Sequence, residues 1–409
     1  MATNWATNIT FNDSQTLHPE STEELAEIVL SHPHVKARGT GHCFNTIADS
    51  RHTVVILDHM PQMLEIHAQR SVATVGAGLT YSQIATFLHQ NGWALPNLAS
   101  LPHISIAGAV ATGTHGSGIK NGALHTAVRS VRVMNSDGST SKITKDQSQD
   151  FYAAVVGIGR TGIALSYELD IVPTFDLFQV VYADLSHGTF TDHLLEIMSS
   201  AYSVSYFTTW SNDHIGDLWV KSQELPAEQV HGAVMRKEKS HPIPGVDPLN
   251  CTEQGLVPGP WHLRLPHFRI DATPSAGNEQ QSEFFVSSHD ATAAFLAISA
   301  IAPEFSEYLL VSEIRAIAAD EHWLSPAYNR ETIAFHFTWK NLEIVPQLAA
   351  RIEAVLKPFS YRPHFGKVFT ADSSYVASVL PKLDDFSDYV AFKDPQELFA
   401  NEFTNSKLL

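Results

Sequence analysis

Cysteine is scarce in this chain of 409 residues, in which Cys43 and Cys251 are the two examples. Two cysteines cannot build a disulfide framework. No Cys-x-x-Cys pair occurs that would indicate zinc binding or dithiol redox chemistry. We therefore expect neither a disulfide-stapled secreted domain nor a cysteine-based metal centre.

Basic residues and long apolar runs are also few. The chain has 26 Lys and Arg residues against 43 Asp and Glu residues, for a formal net charge of -17. This charge repels nucleic acid and anionic membrane surfaces. No stretch approaches the roughly 20 apolar residues of a spanning helix, and the N-terminal MATNWATNITFNDSQ lacks the features of a signal peptide. We expect a cytoplasmic protein that binds neither nucleic acid nor membrane.

The composition that is present is typical of a compact folded protein. Hydrophobic residues make up 44% of the chain and charged residues 17%, without long blocks of one charge. The length exceeds what one core usually supports, so we expect two domains. Pro173 is the first plausible boundary between them.

Two helices near the N-terminus are predicted from their capping residues. Ser21 with Glu24 forms a capping-box pattern ahead of apolar helical spacing, and Thr80 with Gln83 repeats it. Gly92 follows the second helix, where a left-handed glycine commonly closes a helix. Both segments therefore predict short amphipathic helices.

Strands are predicted where β-branched and aromatic runs are bounded by turn residues. One pair of runs flanks Asp137-Gly138, which is typical of a hairpin. The predicted strands are TVVILDH (53–59), SVATVGAG (71–78), the hairpin 127–144, GIALSYELDIV (162–172), EYLLVSEIRAIA (307–318), TIAFHFTW (332–339) and HFGKVF (364–369).

Three motifs that suggest other chemistry have little support. Gly157, Gly159 and Gly162 fit G-x-G-x-x-G, but a helix precedes them and a strand follows, the reverse of a Rossmann turn. The chain has 22 His residues but no His-Glu-x-x-His, and the close pairs such as His262 and His267 lie in proline-bounded loops. The sequence around Ser117 lacks a glycine of the nucleophile elbow. We expect a helix-to-strand turn, no metal and no hydrolase triad.

Two glycine-rich loops, 39–43 and 108–118, remain. Closely spaced glycines let several backbone N–H groups face an anion, as a dinucleotide pyrophosphate requires. Tight turns alone could account for either loop. Two such loops in one β-rich region favour a bound nucleotide cofactor.

At these loops the sequence resembles a known family. GTGHCFNTIADS (39–50) and LPNLASLPHISIAGAVATGTHGSG (95–118) are similar to the alditol oxidases of the vanillyl-alcohol oxidase flavoprotein family. The similarity continues through SEIRAIAADEHWLSP, HFTW and RPHFGKVF. The resemblance implies an α+β fold with an FAD-binding domain (1–173) and a substrate domain with a sheet flanked by helices (174–370). A tail (371–409) can return to the FAD-binding domain.

The resemblance also implies which residues hold FAD. His42 would form the covalent bond to the 8α-methyl carbon of the flavin, and a largely neutral imidazole is a suitable nucleophile. Cys43 is interpreted as a small packed thiol rather than a second link. Ile163 would contribute backbone contacts. The residues implied to line the FAD are Ala37, Arg38, Gly39, Thr40, Gly41, His42, Cys43, Ser100, Ser105, Gly108, Thr112, Gly113, Thr114, His115 and Ile163.

Alternation along the later strands brings polar side chains together. Glu313 and Arg315 leave one face of their strand, and His336 and Thr338 do the same. From the residues alone, a structural ion pair and a core histidine are alternatives. The resemblance places these residues in a polyol pocket, and Lys367 joins them if Gly366 allows a bend.

The resemblance implies oxidation of the terminal hydroxyl of an alditol such as xylitol or sorbitol. His336 would take the hydroxyl proton while a hydride passes to the flavin. Dioxygen would then be reduced to hydrogen peroxide. Lys367 and Arg315 would stabilise the alkoxide, and the remaining hydroxyls would contact Ser100, Glu313 and Thr338.

Two alternatives stay open. One is a sugar-1,4-lactone oxidase of the same fold, and the other is a flavin- or sugar-binding protein without turnover. No obligate protein partner is expected, and the chain is predicted to be a monomer.

Overall fold

Twenty strands and eleven helices follow one another in residues 2–272 and 278–408, which are the residues that the computed structural model describes. The strands are β1 (Gln15–Leu17), β2 (Val35–Ala37), β3 (Thr53–Val55), β4 (Leu64–His67), β5 (Val72–Gly76), β6 (Trp93–Ala94), β7 (Val128–Met134), β8 (Thr140–Thr144), β9 (Ile163–Asp170), β10 (Val172–Pro173), β11 (Asp176–Ser186), β12 (Ser203–Thr208), β13 (Ile215–Ser222), β14 (Gln229–Val230), β15 (Ala233–Met235), β16 (Gly255–Pro260), β17 (Glu279–Ser287), β18 (Leu309–Ile317), β19 (Thr332–Lys340) and β20 (Arg362–Pro363). The helices are α1 (Thr22–Ser31), α2 (Tyr81–Gln90), α3 (Ile106–Ala111), α4 (Asp150–Val155), α5 (His187–Asp192), α6 (Leu194–Met198), α7 (Ala291–Ala300), α8 (Val345–Leu356), α9 (Ser373–Val379), α10 (Leu383–Lys393) and α11 (Glu402–Lys407).

The first part of the chain forms three small sheets, of which the smallest pairs β6 with β10. Parallel strands make a three-stranded sheet in the order β1-β3-β2, and a five-stranded antiparallel sheet has the order β4-β5-β9-β7-β8. The glycine loop 39–43 leaves β2, and α3 leads into the loop 112–118. The segment Gly157–Gly162 joins α4 to β9, so it is the helix-to-strand turn that the sequence predicts.

The predicted helix caps are largely present. The side chains of Thr80 and Gln83 form both hydrogen bonds of a capping box at α2, and Gly92 closes that helix with a φ of +80°. At α1 the Ser21 hydroxyl accepts from the backbone N–H of Glu24, but the Glu24 carboxylate accepts from the N–H of Glu20. The predicted capping box at α1 is therefore only half formed, because the Glu24 carboxylate accepts from the N–H of Glu20 and not from that of Ser21.

The second part of the chain builds a ten-stranded sheet. Its path is β14-β15-β11-β13-β12-β18-β19-β17-β20, with β16 paired to β11. Phe335, Phe337 and Trp339 alternate along β19 and belong to the main hydrophobic core, which also includes Phe295 of α7. The alternate positions of the same strands are polar and face the other side. The predicted α+β class is confirmed.

The last residues of the chain pack against the first ones. Leu398 and Phe399 share a hydrophobic cluster with Leu25 and Ile28 of α1. Beyond them, the Asn401 side chain donates hydrogen bonds to carbonyls in residues 46–49. The C-terminal segment thereby closes onto the part of the chain that carries the first glycine loop.

One predicted strand is absent and another is shorter than predicted. HFGKVF is not a strand: β20 ends at Pro363, and residues 364–369 form a turn and loop around Gly366. TVVILDH is a strand only over Thr53–Val55, since its neighbours β1 and β2 are each three residues long. None of the helices in the described residues is long and apolar enough to cross a membrane.

Candidate active site

Two adjoining clefts occupy the junction between the small sheets and the large sheet. The cleft along the glycine loops is here called the loop cleft. The cleft against the polar face of the large sheet is here called the sheet cleft. The residues that line both clefts are Gly39, Thr40, Gly41, Ile47, Ala48, Ser105, Gly108 and Thr112. The shared lining makes the two clefts one elongated space.

The loop cleft is shaped by close backbone approaches. A Cβ on Gly39 would lie 2.0 Å from Ser105 Oγ, and Gly41 has a φ of +71° that favours glycine. Arg38 lines this cleft while its guanidinium donates to Asp13 at 2.9 Å and covers the ring of Phe11. These features leave room beside the backbone for an extended polar ligand.

A third segment, Gly157–Gly162, also lines the loop cleft. Sequence reasoning treated it only as a turn. The three glycines were the available sign that the backbone comes close to something there. The Lys36 side chain supports this segment from behind, because its Nζ donates to the carbonyl of Gly159 at 3.1 Å.

His42 projects into the sheet cleft from the first glycine loop. Its ring stacks on Trp5, with the centroids 5.1 Å apart. Its Nδ1 is buried and has no hydrogen-bond partner among the described residues. Burial, together with nearby His103, lowers the pKa of His42 to about 4, so the imidazole is neutral. Burial raises the pKa of the neighbouring Cys43 thiol, which keeps that thiol protonated.

Most residues implied to hold a cofactor line these clefts. Gly113 and Ile163 are the exceptions: Gly113 lies against Pro326, and the Ile163 side chain packs with Leu25 and Ile28 in a separate core. The others that line one or both clefts are Ala37, Arg38, Gly39, Thr40, Gly41, His42, Cys43, Ser100, Ser105, Gly108, Thr112, Thr114 and His115.

Strand register places three side chains in a row across the sheet cleft. Glu283 of β17 is directly opposite His336 of β19, and His336 is directly opposite Glu313 of β18. Arg315 and Thr338 are two residues further along their strands, so they share this face. All five residues line the sheet cleft. The alternation predicted for β18 and β19 is therefore what the structure has.

Glu283 is the residue of this face that sequence reasoning missed. Its carboxylate accepts from Arg315 at 2.6 Å and from Lys367 Nζ at 2.7 Å, and His115 Nε2 lies 3.2 Å away. Burial alone would raise the pKa of Glu283, but Lys367 and Arg315 hold that pKa well below its ordinary value. The strand EQQSEFFVS is polar at most of its positions, so no alternation in the sequence singled out Glu283.

His267 was also missed, because it comes from a proline-bounded loop. Its Nε2 donates to Glu313 Oε1 at 3.0 Å, and Lys221 Nζ lies 3.4 Å from its Nδ1. Burial lowers the pKa of Lys221 to about 7, against the opposing effect of Glu313. These three side chains form a buried chain that ends at the sheet cleft.

His336 is neutral and has no hydrogen-bond partner among the residues described. Its Nδ1 is 4.0 Å from Glu313 Oε2. Burial, and next Lys367, lower its pKa well below the ordinary value. A neutral imidazole facing a cleft between two carboxylates can accept a proton, and the carboxylates then stabilise the imidazolium.

A turn at Gly366 brings Lys367 to the same cleft. The Gly366 N–H donates to His364 Nδ1 at 3.0 Å, and its carbonyl accepts from the N–H of Phe44 at 2.8 Å. Strict alternation would have put His364 and Lys367 on opposite faces, whereas both line the sheet cleft. Ser100 lines the cleft from the opposite side, and its carbonyl accepts from the His267 N–H.

Two protein-family models match this chain. Residues 14–144 match an FAD binding domain, and residues 280–407 match D-arabinono-1,4-lactone oxidase. The first range contains both glycine loops, and the second contains β17, β18, β19 and Lys367. The matched ranges thus cover the two sides of the paired clefts.

Two curated relatives match nearly the whole chain, and a third matches part of it. An alditol oxidase of Streptomyces sp. is 39% identical over 413 aligned positions, which cover 99% of this chain and 98% of the relative. An L-gulono-1,4-lactone dehydrogenase of Mycobacterium tuberculosis is 23% identical over 99% of this chain and 98% of its own length. An L-gulonolactone oxidase of Mus musculus is 29% identical over 44% of this chain and 42% of its own length.

Solved structures share the fold at low identity. A solvent-stable cholesterol oxidase superposes with a TM-score of 0.79 at 15% identity, covering 100% of this chain and 97% of its own. The glucooligosaccharide oxidase from Acremonium strictum, with a 6-S-cysteinyl, 8α-N1-histidyl FAD, has a TM-score of 0.77 at 14% identity, covering 99% and 94%. The α+β architecture is therefore that of the vanillyl-alcohol oxidase type.

Proposed function

The chain belongs to the alditol oxidase family of FAD-dependent oxidoreductases, and on this premise we propose that it oxidises the terminal hydroxyl of an open-chain polyol to the aldehyde. Dioxygen is the electron acceptor, and hydrogen peroxide is the second product. The observation that carries the proposal is the row Glu283, His336 and Glu313, which faces the end of the cleft where His42 projects.

The residues of the two clefts fit FAD. The backbone of 38–41 and 157–162, which lines the loop cleft, would hold the dinucleotide, and the residues around His42 in the sheet cleft would hold the flavin. The unpartnered His42 Nδ1 is the atom that we assign to a covalent bond with the flavin, as in the N1-histidyl linkage of the Acremonium strictum oxidase. When bound, FAD supplies the acceptor for the two electrons that leave the alcohol.

Acid precipitation tests the covalent bond. Yellow colour should stay with the precipitated wild-type protein and pass into the supernatant for His42→Ala. Cys43→Ala is the matched control. The Cys43 thiol is adjacent to His42 in the chain and stays protonated, so its removal should leave the yellow colour on the protein. Release of the flavin from wild type, or its retention by His42→Ala, would remove His42 from this role.

The sheet cleft has the groups that a polyol requires. The Glu313 carboxylate accepts hydrogen bonds from the remote hydroxyls, the Thr338 hydroxyl accepts from or donates to them, and Ser100 positions the reacting end. His336 takes the hydroxyl proton as a general base. Arg315 and Lys367 stabilise the negative charge on the oxygen, and Glu283 fixes both cations at 2.6 and 2.7 Å.

Peroxide release in air tests the reaction. Purified protein receives xylitol, sorbitol, a gulonolactone or buffer, and peroxide should appear with the polyols alone.

A rapid-mixing experiment tests His336 as the base. The variant His336→Asn should reduce its flavin roughly 100-fold or more slowly than wild type, since general bases contribute about that much. The exposed His289 provides the control, and His289→Asn should react like wild type. Unchanged reduction in His336→Asn would exclude His336 as the base.

A sugar-lactone oxidase is the second candidate, because the family model over residues 280–407 carries that activity in its name. Peroxide from the lactone alone would select it and leave the FAD assignment intact. A protein that binds flavin without turnover would give peroxide with neither.

We also propose the division of the chain into an FAD-binding domain over residues 1–173 and a substrate domain over residues 174–370. The boundary near Pro173 separates the five-stranded sheet, which ends with β9, from the ten-stranded sheet, which begins with β11. Limited proteolysis that cleaves first near residue 174 would support this boundary.

A further inference from the structure

Three buried side chains outside the two clefts form a second group of potential ligands. His125 lies in the short turn Leu124–Ala127 that precedes β7, and Asp320 and His322 lie in the loop after β18. Their ligating atoms all fall within 4.8 Å of one another. The side chains of His125, Asp320 and His322 are 0%, 4% and 4% exposed.

The hydrogen bonds of this group leave several nitrogens unused. Asp320 accepts from His125 Nε2 at 3.1 Å and from Ser325 Oγ at 2.6 Å. His322 Nδ1 is 3.4 Å from Asp320 Oδ1, yet neither ring nitrogen of His322 has a hydrogen-bond partner within residues 2–272 and 278–408. His125 Nδ1 is likewise buried and has no partner within these residues, so three ring nitrogens of the group have unused hydrogen-bonding capacity.

Two imidazoles and one carboxylate are a donor set that zinc prefers. Zinc bonds of about 2.0–2.1 Å in a tetrahedron place the ligand atoms about 3.3 Å apart. His125 Nε2 is 3.1 Å from Asp320 Oδ2, and His322 Nδ1 is 3.4 Å from Asp320 Oδ1, so each histidine has that spacing to one oxygen of the carboxylate. The three ligand atoms, which lie within 4.8 Å of one another, would close to about 3.3 Å when a cation binds.

We propose that His125, Asp320 and His322 bind a divalent zinc ion. The ion would give one of the two unpaired nitrogens of His322 a partner. It would also join the segment entering β7, in the five-stranded sheet, to the loop leaving β18, in the ten-stranded sheet. None of the three side chains is among the described residues that line either cleft, so the zinc has a structural role and takes no part in the oxidation.

The chain offers a matched comparison on its surface. His193, Glu196 and His231 also bring their ligating atoms within 4.8 Å of one another, but all three are exposed. Exposed groups of this kind are well solvated without a cation and do not need one. The proposal therefore assigns zinc to the buried group and not to this surface group.

Metal analysis of the FAD-loaded protein tests the site. Protein from cells grown with added zinc is gel-filtered, and its zinc is measured by mass spectrometry. Wild type and His231→Ala should contain about one zinc per chain, whereas His322→Ala and His125→Ala should contain about a tenth of that or less. Zinc-free wild type, zinc retained by the buried-site variants, or zinc lost from His231→Ala would each overturn the proposal.

A second measurement decides the matter if the buried-site variants fail to fold. Crystals of the zinc-loaded wild-type protein should show an anomalous peak at the zinc edge between His125, Asp320 and His322. Chelator should also lower the thermal unfolding temperature of wild type and His231→Ala equally, without releasing flavin. A map without that peak would overturn the proposal.

Discussion

At the scale of single residues, Glu283 balances the positive charge of the two cations in the sheet cleft. It is buried beneath Arg315 and Lys367, and each cation donates to a different carboxylate oxygen. Without that carboxylate, two buried cations would face each other, with Glu313 as the remaining nearby carboxylate among the described residues. The residue that positions the two cations is therefore as important as the cations themselves.

We predict that Glu283→Gln lowers the free energy of unfolding by about 3–5 kcal/mol, because the change removes one partner from a buried ion pair. Polyol turnover should fall as well, since both cations lose their anchor. Urea unfolding and peroxide release measure the two effects. Glu253→Gln is the control: Glu253 pairs with Lys239 at the surface, and its loss should cost about 1 kcal/mol or less. Equal losses in both variants would contradict the prediction.

Lys221 makes stability depend on pH. Burial lowers its pKa from 10.5 to about 7 in the folded chain. Between these two values the unfolded chain binds a proton that the folded chain has released, so the free energy of unfolding rises with pH. Below about pH 7 both states are protonated, and Lys221 contributes no pH dependence.

We predict that Lys221→Met reduces the rise in unfolding free energy by about 1.4 kcal/mol per pH unit between pH 7 and 10. Burial also lowers the pKa of Lys36 to about 7. In the variant, Lys36 therefore still makes the free energy of unfolding rise with pH. Chemical unfolding at several pH values gives the slope. The exposed Lys340 supplies the control Lys340→Met, which should keep the wild-type slope. An unchanged slope in Lys221→Met would show that Lys221 is charged in the fold.

At the scale of elements, the loop 112–118 is held by a close backbone contact. A Cβ on Gly116 would lie 2.3 Å from the carbonyl oxygen of Leu98 and 2.4 Å from Asn97 Oδ1. The carbonyl cannot rotate away as a flexible side chain could. Since His115 is the preceding residue, any displacement of this loop also moves a wall of the sheet cleft.

We predict that Gly116→Ala destabilises the protein by about 1–3 kcal/mol, as overpacking generally does, and lowers its flavin content. Thermal unfolding and the ratio of flavin to protein absorbance report the two effects. In α5, a Cβ on Gly188 meets no atom closer than 3.9 Å, and Gly188→Ala should be neutral or stabilising. A fully flavinylated Gly116→Ala with wild-type stability would refute the argument.

The elements show what a sequence can and cannot predict. Alternation placed Glu313 and Arg315 correctly on one face of β18, because that pattern is local. Glu283 and His267 were missed, since their importance depends on which strands pair and in what register, and one sequence does not specify that. The predicted extent of β3 was wrong for the same reason, because the end of this strand is set by the three-residue strands beside it.

The candidate site was predictable where a function needs an unusual backbone. The glycine loop before His42 and the loop before His115 could be identified because glycine density is itself a local pattern. The third glycine segment, 157–162, was visible but was interpreted only as a turn. A tight turn and a segment that lines a cofactor site both favour glycine. Only the position of the neighbouring strands and helices distinguishes the two.

At the scale of the whole molecule, the C-terminal segment of the chain packs against its N-terminal part. Phe399 is 2% exposed and packs with Leu25 and Ile28, and its carbonyl accepts from Lys36 Nζ at 3.2 Å. The same Lys36 supports Gly159 at the loop cleft. The C-terminal segment therefore holds the strand from which the first glycine loop begins.

We predict that Phe399→Ala destabilises the protein by about 3–5 kcal/mol through loss of buried contacts. Because the affected cluster underlies β2 and the loop after it, the flavin of the variant should become exposed to solvent at a lower urea concentration than in wild type. Phe392, which is 81% exposed on α10, is the matched aromatic control, and Phe392→Ala should change stability by about 0.5 kcal/mol or less. Urea unfolding followed by flavin and by tryptophan fluorescence compares the variants. If Phe399→Ala unfolds like Phe392→Ala, the C-terminal segment does not stabilise the part of the chain that carries His42.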